Sequence, residues 1–214
     1  MPGIPLERVP EPEGLNTKLI KRILDFLCAL LGLLVLSPLL LVIALLVKFD
    51  SPGGVFYRGT RAGLGGQPFR IFKFRTMVMS ADKIGGPSSA ADDPRVTRVG
   101  SILRHHKLDE LPQLINVLIG EMSLVGPRPE VMEEVLLYTG EEKCLLDVRP
   151  GITDWSSIRF RNEGEILRGS PDPHQTYRER IRPEKIRLGL EYVRNHSLLT
   201  DCRIILRTLK AILE

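Results

Sequence analysis

The chain has 214 residues, 43% of them hydrophobic, and a net charge of +4. That length suits one domain with a small appendage, and the three cysteines (Cys28, Cys144 and Cys202) are too widely spaced for a disulfide framework or a metal site, which fits a reducing cytoplasm. No DNA-reading motif and no interleaved aromatic and basic surface is evident, so nucleic acid is not an expected partner. The basic residues fit anionic headgroups and phosphorylated substrates better.

Residues 1–17 are rich in Pro, Glu and Gly and predict a poorly ordered lead-in. Residues 26–47 then carry no charge and are mostly Leu, Val, Ile and Ala. As a helix, these ~22 residues would cover ~33 Å, close to the hydrocarbon thickness of a bilayer. A cleavable signal peptide fits poorly, because the stretch is long and no small-residue cleavage pattern follows it. The pattern predicts a retained membrane helix over residues 18–48.

Two features bear on whether this helix crosses the membrane. Basic residues lie on both sides, Lys21 and Arg22 before the apolar stretch and Lys48 after it, whereas a spanning helix usually has its basic excess on one side. Ser37 and Pro38 lie inside the stretch. Proline removes a backbone hydrogen bond and bends a helix, and a serine hydroxyl can donate to the freed carbonyl. The residues alone leave a re-entrant hairpin and a kinked single span equally open.

A short strand is predicted next, over residues 72–76, where apolar and polar residues alternate. In that strand Lys73 and Arg75 would share one face. Residues 80–94 contain Gly-Gly-Pro and Asp-Asp-Pro runs and predict a long surface loop, either a passive connection or a mobile lid.

The most informative segment is residues 108–129. Two adjacent carboxylates, Asp109 and Glu110, lie at a predicted helix start, and Pro112 is tolerated in the first turn of such a helix. A carboxylate near a helix N-terminus is favoured in its ionised form, so it could act as a nucleophile or bind a metal. Helix capping is the structural alternative. Apolar residues at helical spacing predict one buried face, formed by Leu111, Leu114, Ile115 and Leu118.

The same segment ends in Gly126-Pro127-Arg128-Pro129, where two prolines stiffen the backbone around one arginine. A guanidinium can hold a phosphate through two hydrogen bonds at once. Arg128 is therefore a candidate phosphate ligand, although such a run also forms ordinary turns.

The chain is predicted to be mostly helical from residue 175 onward. Residues 201–213 mix isoleucine and leucine with arginine and lysine at helical spacing. This pattern predicts an amphipathic helix that packs on the domain or lies on a bilayer surface.

Three segments together resemble one known family. They cover residues 21–77, 95–130 and 148–155, occur in the family's order, and include the motifs LDELPQL and VGPRP. The resemblance is to the bacterial sugar transferases, the monotopic phosphoglycosyl transferases that use polyprenyl phosphate and begin glycoconjugate assembly. The chain resembles a minimal member that holds the catalytic domain and little else.

The resemblance implies an architecture. It implies an α+β domain over residues 49–214, mainly helical with a few short strands, and a re-entrant membrane helix over residues 18–48. That helix would bend at Ser37 and Pro38 and leave the membrane on the side it entered. The domain would then sit against membrane lipids on the cytoplasmic face of the bacterial inner membrane, and family habit also suggests a homodimer.

The resemblance also implies a reaction. Members transfer a phospho-sugar from a nucleoside diphosphate sugar, usually a UDP-sugar, to polyprenyl phosphate and release the nucleoside monophosphate (UMP). Asp109 would attack the sugar-bearing phosphorus and form a covalent intermediate, while Glu110 would hold Mg²⁺. Two alternatives stay open: a one-step Mg²⁺-dependent transferase in which Asp109 only binds the metal, and a membrane adaptor without enzymatic activity.

By the same resemblance, basic residues would bind the substrate phosphates. Arg104, five residues before Asp109, and Arg128 are the predicted phosphate ligands. Lys73 and Arg75 are further candidates.

Residues 154–165 depart from the commoner Gly-Trp and Gln-bearing sequence of the family. We expect this segment to help read the nucleotide or the sugar. Arg159 or Arg161 would then lie near the pyrophosphate.

Overall fold

One long helix, α1, runs from Leu15 to Asp50. The computed structural model describes residues 15–213, so residues 1–14 of the predicted lead-in lie outside it. By length and composition α1 could cross a membrane. Most of its leucines are exposed, as expected for a helix that has lipid as its neighbour.

Pro38 lies inside α1, and the helix continues through it. Proline has no N–H to donate to the carbonyl oxygen of Leu34, and Ser37 Oγ donates to that oxygen instead, at 2.8 Å. The predicted compensation by the serine is confirmed. The bend at this point and the re-entrant course remain predictions.

Further helices and six short strands follow within residues 51–213, joined by 3-10 turns. The helices are α2 (Ala81–Ile84), α3 (Arg98–His105), α4 (Gln113–Ile119), α5 (Met132–Val135), α6 (Trp155–Arg159), α7 (Glu163–Ile166), α8 (Pro173–Thr176), α9 (Arg182–Asn195) and α10 (Leu198–Leu213). The strands are β1 (Phe56–Tyr57), β2 (Thr60–Ala62), β3 (Pro68–Arg70), β4 (Lys73–Phe74), β5 (Ser123–Val125) and β6 (Gly151–Thr153). The 3-10 turns are Leu64–Gly66, Leu108–Glu110 and Glu142–Asp147, and a π-helical turn, Tyr177–Ile181, precedes α9. The predicted α+β, mainly helical class is confirmed.

The strands form three separate pairs. β1 pairs with β4 and β2 with β3, both antiparallel, while β5 and β6 are parallel. Beside the parallel pair, Gly126 of the Pro-Arg-Pro turn meets Gly151 so closely that a Cβ on Gly151 would lie 2.1 Å from Gly126 N. Only glycine fits there, so the two glycine-containing motifs are held against each other.

Both halves of α1 pack on the same domain. Near its N-terminal end, Ala29 is buried against a cluster that includes Phe69 and Val117. Near its C-terminal end, Ile43 and Val47 are buried in a second cluster with Phe74 and Leu103. The domain therefore lies along the helix rather than at one end of it.

The buried face of α4 differs from the predicted one. Gln113, Asn116 and Val117 are the buried residues of this helix, while the predicted apolar face is only partly buried. Two of its members, Leu114 and Leu118, pack against the cluster that contains Ala29 of α1. The apolar face therefore points toward the membrane helix, and a polar face points into the domain.

The C-terminal region is helical, as predicted. In α10, Ile204 is buried in a cluster with Val125 and Tyr192, so the helix packs on the domain. Its outer face carries exposed Leu206 and Leu209.

Candidate active site

Asp109 and Glu110 lie in the 3-10 turn Leu108–Glu110, between α3 and α4. Lys107 precedes the turn in the left-handed region, at φ 57° and ψ 19°, a conformation that costs a lysine about 1–2 kcal/mol. Pro112 comes directly before α4. The two carboxylates thus lie in a separate 3-10 turn before α4, whereas the sequence predicted them at the start of the helix itself.

Glu110 binds two cations from distant parts of the chain. Lys73 on β4 donates from Nζ to Glu110 Oε1 at 2.7 Å. Arg128 donates from Nη1 to Oε2 at 3.1 Å and from Nη2 to Oε1. Burial alone would raise the pKa of Glu110, but Arg128 and Lys73 outweigh it and hold the pKa well below its usual range. Glu110 is therefore ionised at neutral pH.

Asp109 has a different environment. It is 7% exposed, and its carboxylate accepts no hydrogen bond from residues 15–213. Burial raises its pKa and the charge of Glu110 raises it further, while Lys73 and Arg104 oppose both effects. We expected the helix start to favour the ionised form, but loss of water outweighs that effect here. A carboxylate with no donor on it keeps its lone pairs available for bond formation.

Arg104 reaches this site from the last turn of α3. Thr97 caps the helix, since its Oγ1 accepts from Gly100 N at 3.0 Å. A Cβ on Gly100 would lie 2.2 Å from Thr76 O, so glycine lets the helix approach that backbone closely. Arg104 then donates from Nε to Thr76 Oγ1 at 2.8 Å and from Nη1 to Ser89 Oγ at 2.7 Å.

The structure brings Lys73, Arg104, Glu110 and Arg128 together around Asp109, whereas Arg75 lies elsewhere. Its guanidinium donates to the carbonyl oxygens of Val47, in the last turn of α1, and of Ser51 and Pro52, which follow the helix. Strand β4 ends at Phe74, so the predicted alternation does not extend to Arg75.

Two acidic residues of the 154–165 segment, Asp154 and Glu163, lie close enough to the site for their charges to act on Arg128. Glu110 raises the pKa of Arg128, burial opposes the increase, and Glu163 and Asp154 add to it. The two predicted arginines lie differently: Arg159 is exposed at the end of α6, and Arg161 is half-buried just after it.

Sequence reasoning missed two residues that shape the site. Lys107 lies close enough to Glu110 and Asp109 for their charges to act on it, although burial is the larger effect and lowers the pKa of Lys107. Asn116 accepts from Phe72 N at 2.8 Å and donates to Arg70 O at 3.0 Å, which fixes the strand that carries Lys73. The signal in the sequence was an asparagine within the otherwise apolar run of residues 114–119, but Asn116 did not belong to the predicted buried face.

Asp109 and Glu110 are the two carboxylates of the site that could hold a magnesium ion. Mg²⁺ in phosphoryl-transfer sites takes one or two carboxylates and completes its coordination with phosphate and water. Glu110 is ionised, and Asp109 has no hydrogen bond from the described residues that a metal would displace. A metal would share Glu110 with Lys73 and Arg128.

Comparisons with known proteins agree with the motifs. The family model described as bacterial sugar transferase matches residues 16–214. The UDP-glucose:undecaprenyl-phosphate glucose-1-phosphate transferase of Caulobacter vibrioides is 41% identical over 99% of this chain and 74% of its own length. The exopolysaccharide production protein ExoY of Sinorhizobium fredii is 40% identical, covering 90% of this chain and 84% of its own. An Escherichia coli K12 protein with the same name as the Caulobacter relative is 40% identical over 97% of this chain, but only 43% of its own length. The resemblance drawn from the motifs is confirmed.

Proposed function

Because the chain belongs to the bacterial sugar transferase family, we propose that it transfers a phospho-sugar from a UDP-sugar to polyprenyl phosphate and releases UMP. The transfer would be the first membrane step in building a glycoconjugate. The names of two relatives give UDP-glucose and undecaprenyl phosphate as their substrates, and another relative is named for exopolysaccharide production. The observation that carries the proposal is the buried, unbonded carboxylate of Asp109 beside a carboxylate held by two cations.

The chemistry proceeds in two displacements. An Asp109 oxygen bonds to the sugar-bearing phosphorus, the bond from that phosphorus to the UMP oxygen breaks, and UMP leaves with the electron pair. An oxygen of polyprenyl phosphate then bonds to the same phosphorus, and the Asp109 carboxylate leaves. Two steps allow each anionic substrate to meet the site in turn, so that two phosphates need not occupy it together.

The surrounding cations suit this reaction. Four cations, Lys73, Arg104, Lys107 and Arg128, act on the two carboxylates of Asp109 and Glu110, a local surplus of positive charge that Asp154 and Glu163 at the border of the site partly offset. Such a surplus attracts a diphosphate and stabilises charge that develops on the leaving group. Arg128 and Lys73 also fix Glu110, the residue that would hold Mg²⁺. When bound, that ion supplies positive charge to the phosphate oxygens.

The position of α1 supports a monotopic seat on a membrane, and we propose that this seat is the cytoplasmic face of the inner membrane. Asp25 near its start accepts from Leu124 N at 3.1 Å, and Asp50 at its end accepts from Val99 N at 3.3 Å. A helix that spanned the bilayer would carry one of these ends to the far side, away from the domain. A re-entrant course keeps both ends with the domain and brings Asp109 to headgroup level, where the phosphate of a polyprenyl lipid lies.

A labelling experiment tests the proposal. The purified full chain is incubated with UDP-sugar, radiolabelled on the sugar, without lipid acceptor; UDP-glucose and UDP-N-acetylgalactosamine are the first choices from the relatives' names. The two-step route gives labelled protein and a matching amount of UMP, and Asp109→Asn abolishes both. Asp172→Asn, which alters only the cap of α8, is the matched control.

Each other outcome points to a different function. UMP release that requires added undecaprenyl phosphate, with no labelled protein, supports a one-step transferase. If no sugar nucleotide is turned over even with the lipid acceptor present, the result supports a membrane adaptor without enzymatic activity.

A further inference from the structure

Residues 80–94 were predicted as one long loop, but α2 occupies Ala81–Ile84, and two adjacent serines in the loop that follows it contact different elements of the domain. Ser88 Oγ lies 3.0 Å from Nδ1 of His174 on α8. Ser89 Oγ accepts the hydrogen bond from Arg104 Nη1 at 2.7 Å. The loop therefore bridges the C-terminal helices and a cation of the proposed active site.

The loop is tied down at its second half. Asp93 accepts from Arg95 Nε and Nη2, and this bonding lowers the pKa of Asp93 to about 2 against the effect of burial. Arg95 also donates from Nη1 to the carbonyl oxygens of Ala81 and Gly86, at 2.9 and 3.2 Å. These bonds fix the shape of the loop that presents Ser89, so Ser89 has a defined place.

Ser89 holds one edge of the Arg104 guanidinium, and Thr76 holds another through Nε. An arginine has five N–H donors. Within residues 15–213, the two N–H groups of Nη2 have no hydrogen-bond partner. Arg104 is close enough to Asp109 for each charge to act on the other. The arrangement leaves donors available beside the carboxylate proposed to attack phosphorus.

We propose that Ser89 is a positioning residue that, with Thr76, orients Arg104 so that its open N–H groups meet the donor phosphates beside Asp109. This inference rests on the proposed function, because the phosphates are those of the UDP-sugar. Arginine has a long, flexible side chain. A guanidinium already held by two hydrogen bonds therefore loses less conformational entropy on substrate binding than an unrestrained one. A small displacement of such a group lowers the rate strongly.

The test compares variants of the full chain in lipid nanodiscs, with UDP-glucose or UDP-N-acetylgalactosamine and undecaprenyl phosphate. Ser89→Ala should lower kcat/KM about tenfold, since it removes a hydrogen bond to a charged group. Ser89→Thr, which keeps the hydroxyl, should restore most of the activity. Ser88→Ala is the matched control: it loosens the loop at His174 without touching Arg104, and should stay near the wild-type value.

A double variant separates positioning from general folding effects. In an Arg104→Gln background, Ser89→Ala should change kcat/KM little, because the group that it orients is already absent. The inference is overturned if Ser89→Ala matches the wild type, if Ser88→Ala loses as much as Ser89→Ala, or if the full loss persists in the Arg104→Gln background.

UDP binding, measured by calorimetry, distinguishes a failure of this inference from a failure of the proposed function. If UDP binding weakens in both Ser89→Ala and Arg104→Gln while the wild type releases no UMP, positioning stands and the proposed reaction fails. Turnover by the wild type with an unaffected Ser89→Ala variant overturns the positioning role alone. A wild type that neither binds UDP nor turns over overturns both.

Discussion

Arg22 of α1 donates from Nη1 to the carbonyl oxygen of Val117 at 2.7 Å and so caps the C-terminal end of α4. Its Nη2 donates to the carbonyl oxygen of Leu118 at 2.9 Å. The carbonyl oxygen of Val117 also accepts from Gly120 N at 3.1 Å, and a cation is favourable at this end of a helix. The membrane helix is therefore bonded directly to the helix that follows Asp109 and Glu110.

Arg22→Ala should destabilise the protein by about 2 kcal/mol, because two charge-assisted hydrogen bonds are lost. The measurement is the melting temperature in one detergent or nanodisc preparation. Arg168→Ala, which removes an exposed pair with Glu165, is the control and should leave the melting temperature nearly unchanged. Equal melting temperatures for Arg22→Ala and the wild type would contradict this role of Arg22.

Asp109→Asn should raise the melting temperature at pH 7 while it abolishes transfer. The folded-state pKa of Asp109 is raised, so the stability that this group contributes is present at low pH and is lost as pH rises through the folded pKa. Asparagine does not ionise and avoids that loss. The difference in melting temperature between variant and wild type should therefore shrink as the pH is lowered toward the usual aspartate range. A variant less stable than the wild type at pH 7 would show that burial of the charge is not costly.

Glu110→Gln should have the opposite effect on stability. The folded-state pKa of Glu110 is depressed, so its contribution is present above the unfolded pKa and is lost as pH falls through the folded pKa. At pH 7 the variant removes the carboxylate that binds both Lys73 and Arg128, and the loss of this ionic partner should cost about 3–5 kcal/mol. In a Lys73→Met background the same change should cost less, since one of the two cations is gone. Equal costs in both backgrounds would mean that Lys73 and Glu110 do not interact.

Lys107→Gly should stabilise the fold by about 1 kcal/mol and lower kcat/KM. Glycine adopts the left-handed conformation without the steric cost that lysine bears at φ 57°. The loss of activity comes from the missing positive charge near Asp109. Lys107→Ala is the comparison: it loses the same charge but keeps the backbone strain, so its melting temperature should fall below that of Lys107→Gly.

Local patterns were predicted well because their physical causes lie within a few residues. Ser37 donates to the carbonyl oxygen that Pro38 leaves unbonded, a relationship across one helical turn. The start of α4 directly after Pro112 is similarly local, since proline restricts where a helix can begin. Alternation of polarity was a weaker guide for Arg75, because a strand of two residues ends before the pattern reaches it.

The amino-acid sequence by itself determined the family, the mainly helical fold class, the apolar helix and the adjacent carboxylates with their nearby Pro-Arg-Pro turn. Only the tertiary structure decided which cations reach Glu110, and that the pKa of Asp109 is raised while that of Glu110 is lowered. Lys73 and Glu110 are 37 positions apart in the chain, and Arg104 donates to the hydroxyl oxygen of Ser89, which lies in an irregular loop. Such contacts arise from the packing of separate segments, and burial, which sets the two carboxyl pKa values apart, exists only once those segments have come together.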